Sequence, residues 1–339
     1  MKRILLFIFI VLVFVAGYAA WNIFGPTVSP SSNKYFYIKT GSSYADVKNN
    51  LMDQKIISGG FFFDRVAKQV KYDQHVKPGR YEIKKGSLID LIRMLKSGSQ
   101  SAVRLVINKL RTKEDLASKI GLNFEVDSAS VMNFIGNNDS LIKYNLDTNT
   151  VMTLILPNSY LFWWNSSLKS IMDRFSTQKK NFWEGERTQK AAALHLTPEQ
   201  VYTMASIVEE ETVKSEDKGN IASTYINRLA KGMKLEADPT VKYAMRNFAL
   251  KRILRGHLQY QSPYNTYQQT GLPPGPICTP SMNTIDAVLN APVTNYLYFV
   301  AKPNLGGYSN FAETYPQHLV NARAYQQWLD SFLISKQNR

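Results

Sequence analysis

Residues Thr197–Thr212 read TPEQVYTMASIVEEET, and they frame the rest of the chain. Thr197 is placed to cap a helix, Pro198 stands at its first position, and Gln200 completes a capping box that occupies free backbone N–H groups. Val201, Met204, Ala205 and Val208 follow at helical spacing, so one face of this helix belongs to a core. Glu209, Glu210 and Glu211 close it. At about 100° per residue the three side chains point in different directions. Glu210 points away from the apolar stripe, toward water. Glu209 neighbours Tyr202 and Ser206, while Glu211 shares its side with Met204 and Ile207. Desolvation disfavours a charged carboxyl, so the more apolar edge raises its pKa more. A raised pKa is what a general acid needs near neutral pH. Glu211 is therefore the candidate acid and Glu209 the alternative. The blander reading is a solvated acidic helix end, although carboxylates there oppose the helix dipole.

Downstream, residues 217–231 predict an amphipathic helix with Ile221, Tyr225 and Leu229 on one side. In Leu235-Glu-Ala-Asp-Pro-Thr-Val241, Asp238 either faces a site or caps the helix that holds Val241 to Met245. Ser262-Pro-Tyr-Asn-Thr-Tyr267 and Gly271-Leu-Pro-Pro-Gly-Pro276 are too rich in proline and glycine for helix. Loops of this kind often present side chains to a ligand. Tyr264, Asn265 and Thr266 supply a ring and hydrogen-bonding groups suited to an acetamido sugar, and they serve a structural connection equally well. Tyr296–Val300 predicts a strand, Gly306-Gly307 a turn, Ser309–Ala312 the return, and Tyr315–Phe332 a closing helix.

Upstream, residues 4–24 run ILLFIFIVLVFVAGYAAWNIF without a charge. About 20 apolar residues cross a bilayer as a helix. Lys2 and Arg3 precede the run, which by the positive-inside rule puts the N-terminus in the cytoplasm and the rest outside. A cleaved signal peptide is the competing reading, but its apolar core is shorter, about 7–15 residues. The predicted organisation is an anchor over 1–25, a polar linker over 26–33, a small α/β module over 34–100 and a catalytic domain over 101–339. In the module, Tyr35–Ile38 is a strand, Ser43–Leu51 and Phe61–Val70 are helices, Pro78–Ile83 is turn and strand, and Ser87–Lys96 is a helix stopped at Gly98. That order is similar to the sugar-binding LysM arrangement. Val103–Ile107 is a further strand, and residues 112–196 read as mostly helical. Phe162, Trp163 and Trp164 form an aromatic patch, for which packing is the commoner use. The fold class is α+β.

The 339 residues, 44% hydrophobic and 20% charged, suit a globular protein with a real core. A formal net charge of +15 favours an anionic partner. The cations are spread along the chain without a nucleic-acid motif, and the export signal disfavours nucleic acid further. The single cysteine, Cys278, can form no internal bridge, and the four histidines are far apart in sequence. No metal and no cofactor is expected.

Several strings, in order, resemble the MltG-type (YceG-like) endolytic murein transglycosylase family: Ala205–Thr212, Tyr225–Leu229, Gly232–Leu235, Asp238–Val241, Ser262–Tyr267, Gly271–Gly275 and Tyr296–Val300. The likeness covers roughly residues 197–330, with the anchor and the LysM-like module ahead of it. It implies a single-pass inner-membrane protein whose catalytic part faces the periplasm or cell exterior. It also implies cleavage of nascent peptidoglycan glycan strands between N-acetylmuramic acid and N-acetylglucosamine, leaving 1,6-anhydro ends and terminating strand synthesis. The family string has a basic residue where Glu210 stands, and Glu211-Thr212 is similar to the Glu-Ser pair of other lytic transglycosylases. The implied site has Glu211 as acid, with Glu209 the alternative. Asp238, Ser262, Tyr264, Asn265 and Thr266 bind substrate, Tyr264 and Asn265 holding it while Ser262 and Thr266 support the loop. Cell-wall synthases of the divisome or elongasome are the implied protein partners. The competing functions are a muramidase-type hydrolase at the same site and a non-catalytic glycan-binding scaffold.

Overall fold

The computed structural model describes residues 1–30 and 33–337; Ser31 and Ser32 of the predicted linker, and Asn338 and Arg339 at the end of the predicted catalytic domain, lie outside the described residues. The chain divides into two compact units. The first runs from Met1 to Leu105 and takes in Ile120–Asp127 and Leu161–Leu168, two pieces that the division at residue 100 assigned to the second domain.

The first unit begins with α1 (Lys2–Phe24) and continues through β1 (Tyr35–Ile38), α2 (Tyr44–Asp53), α3 (Gly60–Gln69), β2 (Gly79–Glu82) and α4 (Leu88–Ser97). Over its best window α1 has a mean hydropathy of 2.7, and it is long and apolar enough to cross a membrane. β1 and β2 pair antiparallel, Tyr35 opposite Glu82 and Ile38 opposite Gly79. Strand alternation sends Phe36 and Ile38 into the core. Ser43 caps α2 in a reciprocal box with Asp46, and Ser87 caps α4 through the Asp90 N–H. Gly98 ends α4 at φ +75°, a left-handed turn that glycine adopts without strain. Phe36, Leu51, Phe63, Tyr72, Tyr81 and Leu95 fill the space between these elements. The two later pieces are tied in by polar and ring contacts. The Glu125 carboxylate accepts bonds from the Thr40 N–H (2.7 Å) and hydroxyl (2.6 Å), and Trp164 packs edge-on to Tyr37 with centroids 4.9 Å apart. The aromatic patch is thus split: Phe162 is buried, and Trp163 is 53% exposed.

β3 (Val103–Ile107) leads from the first unit toward α5 (Lys113–Asn123), α6 (Ser128–Ile135) and α7 (Asn138–Leu141), followed by β4 (Asn158–Phe162), α8 (Leu168–Trp183) and α9 (Glu186–Ala193). The rest of the second unit holds α10 (Pro198–Glu211), α11 (Ser215–Ala230), α12 (Asp238–Ala244), α13 (Met282–Leu289), β5 (Tyr298–Ala301), β6 (Ser309–Ala312) and α14 (Tyr315–Gln337). β5 and β6 form an antiparallel hairpin, Tyr298 opposite Ala312. The architecture is mixed α/β, with α10 at the centre of the second core.

Candidate active site

The cap of α10 forms as the sequence requires: the Thr197 hydroxyl accepts from the Gln200 N–H, and the Gln200 side chain accepts from the Thr197 N–H. The one-sided stripe does not hold. Every residue from Val201 to Val208 is buried, because α11, α12 and α13 all pack on this helix. Its polar side chains are consumed internally. The Tyr202 hydroxyl donates to the Ile155 carbonyl, and the Ser206 hydroxyl donates to Thr203 while accepting from the Ile277 N–H at 3.0 Å. Beyond Val208 the three glutamates of the last turn emerge from the core, partly exposed.

Their environments differ sharply. The expectation that Glu210 is free in water is overturned. Lys109 lies 2.9 Å from one of its oxygens and Arg111 3.1 Å from the other, and its side chain is only 17% exposed. Both cations sit on a segment pinned by Thr279, whose N–H donates to the Leu110 carbonyl and whose hydroxyl accepts from the Leu110 N–H, each at 2.8 Å. Burial pushes the Glu210 carboxyl up, but the bonds to Lys109 and Arg111 outweigh it and leave the pKa below the ordinary value. Glu209 is similar. Burial raises it, while the hydroxyl of Thr284 and the Lys218 ammonium (2.9 Å) bring it below the ordinary carboxylate value, and Ser281 donates a third bond at 3.1 Å. Among the described residues, no such cation is bonded to Glu211. Burial pushes its pKa from 4.5 up to about 7, opposed by a 2.8 Å hydrogen bond from the Tyr225 hydroxyl and reinforced by the charge of Asp238.

Glu211 lies on the wall of an open cavity of about 330 Å³. Tyr225, Arg228, Asp238, Tyr267, Tyr298 and His318 share that wall. The Tyr267 hydroxyl donates to Asp238 Oδ1 at 2.7 Å, so Asp238 does not cap α12; the cap position is Ala237, with no side-chain bond. Arg228 is buried and bonded through two of its three guanidinium nitrogens. Its Nε donates to the Leu297 carbonyl at 2.7 Å, and one terminal nitrogen donates to Lys234, Leu235 and Glu236. This one side chain therefore ties α11 both to the segment that carries Asp238 and to the start of β5. The His318 ring stacks on Tyr298 at 5.3 Å, and burial, then the Arg228 charge, hold its pKa below the ordinary value.

Of the sequence-predicted binding residues, Asp238 alone lines this cavity with Glu211. Ser262 accepts from the Tyr264 N–H. Tyr264 leans on Tyr243, with centroids 4.8 Å apart. Asn265 is fully buried, its amide donating to Leu258 and Tyr260 and its oxygen accepting from the Tyr267 N–H. The Thr266 hydroxyl accepts from the Ala237 N–H and bonds Thr240, which fixes the strip from Glu236 to Asp238. The proline loop closes on Gly275, where a Cβ would lie 2.0 Å from the Asn149 carbonyl. Sequence reasoning missed Tyr225, Arg228 and Tyr267 as site residues. Arg228 carried a signal: it falls on the same side of α11 as Ile221 and Tyr225, and a charge on an apolar face asks for a buried partner. Among the described residues no group of three or more His, Cys, Asp or Glu side chains is gathered to hold a metal.

A model of the YceG-like family matches residues 36–324. An endolytic murein transglycosylase of Bacillus subtilis is 38% identical over 156 residues, which cover 45% of this chain and 41% of that protein. One from Streptococcus pneumoniae is 26% identical over an alignment of 357 residues, covering 92% of this chain and 63% of that protein. The chain thus spans less than two thirds of the length of these relatives. A solved yceG-like protein from Listeria monocytogenes superposes with a TM-score of 0.56 at 27% identity, covering 84% of this chain and 97% of that one. The match over most of the chain, together with that superposition, makes this chain a member of the YceG-like family.

Proposed function

We propose that this chain is an endolytic lytic transglycosylase of peptidoglycan, with Glu211 as its only acid–base group. The observation that carries the proposal is the Glu211 carboxyl on the wall of an open cavity, its pKa raised to about 7. Such a group is about half protonated at neutral pH and can both give and take a proton. The names of the relatives, endolytic murein transglycosylase, support the same reaction class.

Glu211 gives its proton to the oxygen that joins N-acetylmuramic acid to N-acetylglucosamine, and the bond from that oxygen to the muramic C1 breaks. The sugar passes through an oxocarbenium-like state, with its acetamido group in reach to assist. The Glu211 carboxylate then takes the proton of the C6 hydroxyl, and O6 bonds to C1 to close the 1,6-anhydro ring. No water is consumed, so no second carboxylate is needed to activate one. Asp238 holds substrate beside the acid, and the loop of Ser262, Tyr264, Asn265 and Thr266 shapes the groove. The β-α-α-β order of the first unit serves as a LysM-like sugar-binding module. α1 anchors the chain in the inner membrane with its N-terminus cytoplasmic, which positions the second unit for strands leaving a synthase of the divisome or elongasome.

The test is incubation of the purified protein with un-crosslinked glycan strands, followed by mass spectrometry. Internal fragments ending in 1,6-anhydro-N-acetylmuramic acid are expected. Reducing ends in their place would mean hydrolysis, and no cleavage at all would leave a glycan-binding scaffold.

A further inference from the structure

The first unit is held close against the end of α1. Tyr18 of α1 meets Phe62 of α3 with ring centroids 5.9 Å apart, and Ile23 packs on the core of the unit. Directly after the helix, Val28 exchanges backbone hydrogen bonds with Gly86 at 3.0 and 3.3 Å, so little slack separates the helix from the unit. The 23 residues of α1 measure about 34 Å at about 1.5 Å per residue, against a hydrocarbon layer of about 30 Å. With Lys2 and Arg3 at the near surface, Tyr18 stands about 24 Å along the axis at about 1.5 Å per residue, within about 6 Å of the far hydrocarbon boundary, and Phe62 packs beside it.

What α3 displays there is graded. Phe61, beside Phe62, is 65% exposed. Arg65, one turn on, holds its guanidinium 5.4 Å from the Phe61 ring centre, and Lys68 follows on the same exposed stripe. The acid of this helix, Asp64, lies off the stripe and is occupied by Lys48 at 3.0 Å and the Tyr44 hydroxyl at 2.7 Å. Lys68 still lies within coulombic reach of Asp64, but both cations are exposed, and an aromatic ring followed by exposed cations matches the interface of an anionic bilayer, where rings sit at headgroup depth and basic side chains reach outward.

We propose that the Phe61–Arg65–Lys68 stripe of α3 is a bilayer-contacting surface, with the ring in the interfacial layer and the two cations against anionic lipid headgroups. It seats the first unit on the membrane and goes beyond anchoring by α1, on which it rests.

The test uses the full chain in vesicles of phosphatidylglycerol and phosphatidylethanolamine. A nitroxide is attached at Phe61→Cys or, separately, at Val11→Cys within α1; Cys278, 1% exposed, stays unlabelled. Accessibility to oxygen is compared with accessibility to a water-soluble nickel chelate. Val11 is expected to give the ratio of the deep hydrocarbon, and Phe61 a ratio at least threefold above that of a label in bulk water. Arg65→Glu with Lys68→Glu is expected to return Phe61 to the bulk-water ratio and to leave Val11 unchanged. A bulk-water ratio at Phe61 with Val11 embedded overturns the proposal and spares the anchor, whereas a Val11 label open to the chelate removes the anchor itself. A Phe61 ratio unmoved by the charge reversal overturns the role of anionic headgroups.

Discussion

The hydroxyl of Tyr225, on α11, donates a 2.8 Å hydrogen bond to Glu211 Oε1, on the last residue of α10. The carboxyl is thereby aimed from two helices, while Lys218 binds Glu209 and Lys109 with Arg111 binds Glu210. Each neighbour is paired with at least one cation, and among the described residues the proposed acid has none bonded to it. On the proposed mechanism, this arrangement makes Glu209 and Glu210 structural charges and leaves Glu211 to carry the proton.

Substitution should expose that division of labour. Glu211→Gln is expected to lower strand cleavage by roughly 10²–10⁴-fold, the usual contribution of a general acid, with the unfolding midpoint not lowered. Glu209→Gln leaves the buried Lys218 ammonium poorly paired and is expected to cost on the order of 1–3 kcal/mol of stability while the folded fraction still cuts. Cleavage assays beside thermal unfolding of both variants check this, and an inactive, stable Glu209→Gln would transfer the acid role to Glu209.

The same carboxyl links stability to pH. Glu211 has a folded pKa of about 7 against an ordinary 4.5, so the folded state binds its proton more tightly than the unfolded chain. Its contribution is full below pH 4.5 and disappears as pH rises through 7. Glu209 and Glu210 act in the opposite sense: their lowered pKa values contribute stability above the ordinary range that is lost in acid. Glu211→Gln cannot ionise. Its stability relative to the parent is expected to rise between pH 5 and pH 8 by on the order of 1–3 kcal/mol, read from denaturant unfolding at the two pH values.

Two neighbours should move the alkaline limb of the pH–rate profile in opposite directions. Cleavage falls as Glu211 loses its proton, so the limb reports its pKa. The Tyr225 hydrogen bond lowers that pKa and the Asp238 charge raises it. Tyr225→Phe is therefore expected to shift the limb to higher pH, and Asp238→Asn to lower pH, with the anhydro product unchanged in both. Shifts of the same sign would mean that the limb belongs to another group.

Much of this was legible in the sequence, and the misses share one cause. The capping box of α10, the β5–β6 hairpin and the helix stop at Gly98 depend on neighbours a few residues away, and local pattern captured them. The surroundings of the glutamates depend on distant segments. Glu210 looked solvated because nothing local announces that Lys109 and Arg111, about a hundred residues earlier, come to its side. Tyr267 and Asp238 are 29 residues apart, and Asn265 looked like a ligand group because its backbone partners are invisible in composition. Helical periodicity placed Glu211 beside Met204 and Ile207, which anticipated the desolvation of its carboxyl, while its role as the acid is a proposal.

The cations beside Glu210 also act at a distance on the acid. Glu210 raises the Glu211 pKa through its charge, and Lys109 and Arg111 offset that charge. Replacing both with Met leaves Glu210 without its counter-ions. The alkaline limb of cleavage is then expected to move to higher pH at low salt and to move back as ionic strength rises. A drop in rate with no displacement of the limb would reduce the pair to a purely structural role.

Arg228 offers the strictest test of how the cavity is built. Its guanidinium serves the Leu297 carbonyl from Nε while a terminal nitrogen serves Lys234, Leu235 and Glu236. A lysine ammonium is a compact point charge and cannot span that fork. Arg228→Lys is expected to lose on the order of 2–4 kcal/mol, because buried carbonyls are left without donors. The damage should also be directional. Arg228 joins the strip that carries Asp238 to the start of β5, so KM for glycan strands is expected to rise more than kcat falls, whereas Glu211 and Tyr225 keep their bond on α10 and α11. An equal fall in kcat with KM unchanged would show instead that Arg228 acts on the reacting bond and not on the walls around it.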